Sequence, residues 1–267
     1  TFAIPLISRV AARDWAVVQH QLNATIGSIY NQTDPNFRIV IACSDLPELT
    51  VPTDERLTTI RCEPRRQINR DSFVSDSVGK TFEIARRQRG LGPCYFMFTD
   101  ADDLVSNRLV EYIRADRNPN GYVVDRGYLF DAARGYLSPF PFNDDGPWRF
   151  DHECGTCNAV YFTPEELPDA DGRAPPRFAA MMADGHPGRR IAAKAEGRPL
   201  AEFPFRAVVY VKNTGENVSV RRAHMLELER LDFQAQMEDG IVRHRLERTS
   251  ALDAEFNLKA AETPPSH

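Results

Sequence analysis

No apolar run in this chain approaches the roughly 18 residues of a membrane span, so a transmembrane helix is not expected. Basic residues are also too few for a nucleic-acid face. Lys and Arg number 33 against 38 Asp and Glu, a formal net charge of −5, and a general nucleic-acid binder needs a basic surface. A local basic pocket for phosphate is still allowed. Glycine-rich phosphate loops are missing. No G-x-G-x-x-G follows the first predicted strand and no G-x4-G-K-[ST] occurs anywhere, which disfavours dinucleotide binding and P-loop hydrolysis. Cysteines are few and odd in number, at Cys43, Cys62, Cys94, Cys154 and Cys157. Three lie in or beside predicted buried strands, which suits reduced, packed thiols in a cytoplasmic protein better than a disulfide framework. His152-x-Cys154-x2-Cys157 offers three zinc ligands but no obvious fourth, and structural zinc takes four. A strand-edge sequence is the better reading. The first ten residues read as a strand rather than a secretion signal.

What is present is an ordinary globular composition, 42% hydrophobic and 27% charged over 267 residues. That length suits one large α/β domain or two small ones. Phe2–Ile7 reads as a first strand ending in Ser8-Arg9. Asp14 is a candidate N-cap for a helix whose stripe is Trp15, Val18, Leu22, Ile26 and Ile29. Phe37–Ala42 is a second strand ending at Ser44-Asp45, and a short strand is expected near Leu57–Cys62. A helix carrying Val74, Val78, Phe82 and Ala85 then stops near Gly90. After a helix near Asn107–Arg117, Tyr122–Leu137 reads as a hairpin turning at Ala132–Gly135. Asn158–Phe162 is a further strand, a helix follows from Phe178, and Arg206–Val211 reads as the last strand. Helix returns from Arg221 to Leu246, with Met225, Leu228, Leu231 and Phe233 apolar. Its charge density suits a packing or dimer helix before a membrane anchor, although peripheral membrane contact is not excluded. Residues 260–267 read as a disordered tail. Strands alternating with helices imply parallel β-α-β units with right-handed crossovers.

The run Tyr95-Phe96-Met97-Phe98-Thr99-Asp100-Ala101-Asp102-Asp103 is the most informative stretch. Four bulky apolar residues read as a strand buried on both faces, and three acids follow at its carboxyl end, where open α/β sheets bind ligands. Two carboxylates about 5 Å apart repel by roughly 3 kcal/mol at an effective dielectric near 20, so they call for a cation or a proton. Hard oxygen ligands suit Mg²⁺ or Mn²⁺ carrying a substrate's phosphates. An acidic turn that starts the next helix explains the same residues without function.

Ser28-Ile29-Tyr30-x-Gln32-Thr33 followed by Phe37–Ile41, together with Thr99-Asp100-Ala101-Asp102-Asp103, resembles the glycosyltransferase family 2 group of GT-A-fold enzymes, best over residues 1–110. The resemblance implies an α/β GT-A fold, a Rossmann-like, mostly parallel sheet flanked by helices. Residues 1–110 would be the nucleotide-sugar half, 111–220 the acceptor half and 221–259 a C-terminal helical extension. It implies a UDP-sugar donor, an unidentified acceptor, and Mn²⁺ or Mg²⁺ as cofactor, with transfer by inversion. Leu6, Ile7, Ser8 and Arg9 would hold the uridine, with Asp45 accepting from the uracil N3–H. Asp76 and Lys80 share one helix face, Lys80 neutralising phosphate, although a solvated i,i+4 pair explains that spacing equally. Asp100 and Ala101 would border the ribose, and Asp102 would bind the metal with Asp100. Asp103, Gly155 and Thr156 would form the donor-sugar and acceptor side. Asp184 would be the base, with His186 beside it. The family's Glu-Asp pair is here Ala183-Asp184, and its metal-binding histidine is replaced near Asn213, a weaker oxygen ligand. A GT-A-like module that binds UDP without turnover is therefore the alternative. A nucleotidyltransferase ranks last, because Ser8–Arg13 contains no glycine.

Overall fold

The computed structural model describes residues 1–63, 70–143, 146, 148–217 and 229–262. Strands β1 (Phe2–Pro5), β2 (Ile39–Cys43), β3 (Leu57–Arg61) and β4 (Cys94–Phe98) alternate with helices α1 (Trp15–Tyr30) and α2 (Arg70–Arg89). After β5 (Leu104–Val105) and α3 (Leu109–Asp116) come β6 (Gly121–Val123), β7 (Gly127–Asp131) and β8 (Tyr136–Phe140). Helix α4 (Phe150–Glu153), β9 (Asn158–Phe162), α5 (Pro176–Ala183) and α6 (Gly185–Ala195) precede β10 (Ala201–Glu202) and β11 (Val208–Lys212). Helices α7 (Glu229–Arg243) and α8 (Ser250–Phe256) and a 3-10 turn (Leu258–Ala261) follow.

These strands form a mixed, mostly parallel seven-stranded sheet in the order β10-β6-β9-β4-β1-β2-β3, flanked by helices in a Rossmann-like α/β arrangement. Only β9 runs against its neighbours, pairing antiparallel with both β4 and β6. A second sheet has the order β5-β11-β7-β8. The large sheet takes β1 to β4 from before residue 110 and β6, β9 and β10 from after it, so the two expected halves share one sheet.

Period-two alternation sends successive strand residues to opposite faces. Phe2, Ile4, Leu6, Ile39 and Ile41 pack with Val18, Leu22 and Ile26 of α1 and with Leu109, Val110 and Ile113 of α3. Ala3, Val40, Ala42, Phe96 and Phe98 pack on the other face with Ile84 and Ala85 of α2, Phe178 and Met181 of α5, and Ala193 of α6. Asp14 caps α1 as expected, its Oδ1 accepting from the backbone N–H of Ala16 at 2.8 Å.

Two expectations need correction. Tyr122 belongs to the large sheet, and the hairpin starts only at Gly127, pairing through Asp131↔Tyr136. Ala260 and Ala261 are not part of a loose tail: they close the 3-10 turn, and Ala261 is buried in a cluster with Ala24 of α1 and Leu258. The side chains of Val74, Met225, Leu228, Leu231 and Phe233 lie outside the described residues, as do residues 263–267. Among the described residues no helix is long and apolar enough to cross a membrane.

Candidate functional site

From β1 the chain builds outward through β2 and β3 on one side, then returns to add β4 on the other side of β1. The order reverses between β1 and β4. In open α/β sheets, ligands bind at the carboxyl ends of the strands flanking such a switch point. Residues 6–9 after β1, Asp45 after β2 and Asp100–Asp103 after β4 stand at that edge.

The three acids have different surroundings. Asp100 is exposed; its backbone N–H donates to Thr156 Oγ1 at 2.8 Å, and its carboxylate lies against Gly155. A Cβ at Gly155 would stand 2.2 Å from Asp100 Oδ2, so any other residue there would force the carboxylate to move. Asp102 is half-buried, and its Oδ2 accepts from Asn217 Nδ2 at 3.0 Å. Burial first, and the negative charge of Asp100 second, push its carboxyl up to about 7. Asp103 is wholly buried. Its Oδ2 accepts from Thr156 Oγ1 at 2.6 Å and from Cys154 Sγ at 3.2 Å, and its Oδ1 from the Val211 N–H at 3.2 Å. Burial and the neighbouring acids raise its carboxyl well above the usual range.

Asp103 is thus a tie between the β4 edge, the 154–156 loop and β11, with both carboxylate oxygens bonded to protein groups. Thr156, also fully buried, supports Asp100 and Asp103 instead of presenting itself to a ligand.

Asn213 does not join Asp102. Its backbone is left-handed (φ 59°), and its amide donates to Asp131 Oδ2 at 2.9 Å. The residue that meets Asp102 is Asn217. Its Oδ1 accepts from both the N–H and the hydroxyl of Thr214 at 3.1 Å, which fixes the amide with its NH₂ toward Asp102 and the Val211 carbonyl. Glu216 continues the strap, accepting from the backbone N–H groups of Arg13 and Asp14 at 3.1 and 2.7 Å. Sequence inspection missed Asn217 because Asn213-Thr214-Gly215-Glu216-Asn217 reads as a plain turn. Lys212, 3% exposed, also borders the acids: burial lowers its pKa, while the charges of Glu153, Asp102 and Asp103 oppose that shift.

On the β1 side, Leu6 is fully buried and its carbonyl accepts from Lys80 Nζ at 2.6 Å, so it supports the edge from within. Lys80 also donates to Asp76 Oδ2 at 2.6 Å, with both side chains buried. The pair is neither a surface pair nor open to a phosphate; it anchors α2 beneath β1. Ile7 is half-buried, and the carbonyl of buried Ser8 accepts from the N–H groups of Ala11 and Ala12. Arg9 is exposed, its N–H donating to Asp45 Oδ2 at 2.8 Å, which joins the ends of β1 and β2. Ala101 is half-buried against the core.

Asp184 sits exposed at the junction of α5 and α6 and makes no side-chain cap bond. His186 pairs a ring nitrogen with the His152 carbonyl at 2.9 Å. Cys154 and Cys157 are buried with separate partners, Asp103 Oδ2 and the Asp151 carbonyl, while His152 is exposed, so the zinc reading is not supported. Among the described residues no group of three or more His, Cys, Asp or Glu side chains is placed to share a metal ion. The donor set at Asp100 and Asp102 is two carboxylates, which fits a Mg²⁺ or Mn²⁺ that completes its shell with water and substrate phosphates better than an all-protein cage. A cleft of about 710 Å³ lies at the opposite end of the strands, lined by Phe2, Phe37, Arg38, Tyr95 and Ile113 among others. It holds none of these acids.

No protein-family model matches the chain, and no curated protein matches it.

Proposed function

We propose that the protein is a metal-dependent glycosyltransferase that takes a sugar from a UDP-sugar donor and passes it, with inversion, to an acceptor hydroxyl. The observation that carries this reading is the pair Asp100 and Asp102 at the carboxyl edge of β4, on the switch point of a mostly parallel sheet. A GT-A-like arrangement would use that edge for the nucleotide. Asp45 would accept from the uracil N3–H while its Oδ2 keeps the 8–9 turn in place. Asn217 orients the Asp102 carboxylate, and Lys212 supplies positive charge beside it. When bound, Mg²⁺ or Mn²⁺ would neutralise the diphosphate and act as a Lewis acid for its departure. Asp184 would take the acceptor hydroxyl proton as the new C–O bond forms at the anomeric carbon and the bond to the diphosphate breaks. Five free cysteines suit a reducing compartment such as the cytoplasm.

Calorimetric titration of UDP with and without Mn²⁺ tests the site. Binding should require or be tightened by metal, and Asp102→Ala should abolish that dependence while circular dichroism shows the fold retained. Unchanged affinity in Asp102→Ala would refute the metal assignment. Ala183 in place of an acid favours one second reading, a nucleotide-sugar-binding module without turnover. Asp184→Asn separates the two: the transferase predicts loss of donor hydrolysis or transfer with UDP affinity kept within about twofold. Activity that persists in Asp184→Asn would remove that residue as the base.

A further inference from the structure

Two buried cations, Lys212 on β11 and Arg189 on α6, lie within the field of the acids. Lys212 lies in the field of Asp102, Asp103 and Glu153. Arg189, on α6, lies in the field of Asp100 and Cys157. It is only 8% exposed, with its guanidinium carbon 3.7 Å from the centre of the Phe98 ring. Its Nε donates to the Met181 carbonyl at 3.2 Å. Its two terminal nitrogens make no hydrogen bond, and it forms no ion pair, among the described residues. Burial pulls its pKa down to about 10, which leaves it charged at neutral pH.

A forked, planar donor held by ring stacking and one backbone bond is arranged to receive an oxyanion in bidentate fashion. A buried charge with no direct ion pair is costly, and an anionic ligand group would offset that cost. The position indicates which anion. Lys212 and the metal carboxylate Asp102 share one side, where a diphosphate would lie. Arg189 instead lies on the helix headed by Asp184, which is tied to the 152–158 segment through His186: its carbonyl accepts from Asn158 Nδ2 at 3.3 Å and its ring nitrogen pairs with the His152 carbonyl.

Resting on the nucleotide-sugar reading above, we infer that Arg189 binds a carboxylate carried by the donor's sugar, so that the substrate class is a nucleoside-diphosphate uronic acid. A neutral hexose would leave the guanidinium fork unpaired.

The test is calorimetric titration, with Mn²⁺ present, of UDP, UDP-glucose and UDP-glucuronate into the wild-type chain and Arg189→Gln. The wild type should bind UDP-glucuronate about tenfold more tightly than UDP-glucose. Arg189→Gln should lose that preference while its UDP affinity stays within about twofold. A wild type that binds the neutral donor as tightly as the acidic one overturns the inference and leaves the nucleotide site standing. Retention of the preference in Arg189→Gln overturns it equally. Failure of UDP itself to bind the wild type removes the nucleotide reading and this inference together. The wild-type comparison decides even if the variant does not fold.

Discussion

Lys80 shows how far a side chain's role depends on what surrounds it. Asp and Lys one turn apart usually form a solvated pair of small energetic weight. Here the ammonium is 2% exposed and is shared between Asp76 and the Leu6 carbonyl. Lys80→Met should destabilise the fold by about 3–5 kcal/mol, because it removes the buried cation bonded to Asp76. Urea unfolding measures this, and a loss below about 1 kcal/mol would show that other partners satisfy Asp76. Sequence reading identified the acids at residues 100–103 because three carboxylates after an apolar run form a local pattern. It did not distinguish them, because their roles depend on residues far along the chain: Gly155 and Thr156 for Asp100, Asn217 for Asp102, Cys154 and Val211 for Asp103.

At the scale of elements, α1 was legible almost residue by residue. The Asp14 cap and the Trp15, Val18, Leu22, Ile26, Ile29 stripe are local features, and the last four of the stripe are buried while Trp15 is half-buried. Leu22→Ala should cost about 2–5 kcal/mol, since a fully buried leucine leaves a cavity under β1 and β2; a thermal shift near zero would mean that the site collapses. β4 and β9 were equally legible as short apolar runs between breakers. In the small sheet the β7–β8 turn and the strand β11 were legible, but β5 and the pairing of β11 with β7 were not. β5 has two residues, too few for any periodicity, and β11 pairs parallel with β7 across 75 or more residues of intervening chain. Tyr122 was drawn into the hairpin because nothing local marks where one sheet stops and the other starts.

At the scale of the whole molecule, several groups titrate together. Cys43, Cys157 and Tyr122 are all held above their ordinary pKa values by burial. Their unfolded forms lose protons first as pH rises, so the folded state binds more protons and stability must fall. The loss starts near pH 8.5 for the thiols and near 10 for the phenol. Lys212, with a lowered pKa, opposes it only in part. Melting temperature should therefore decline from pH 8 to 10.5, and a flat profile would refute this balance. The antiparallel partner of β4 has a different consequence. β4 pairs with β1 along one edge and with β9, Cys94↔Phe162 through Phe98↔Asn158, along the other. A ribosome delivers β4 about 60 residues before β9, so the nascent chain carries Tyr-Phe-Met-Phe as an open, sticky edge for several seconds of synthesis. Vectorial folding of this protein thus passes through an interval in which one edge of its acid-bearing strand has no partner.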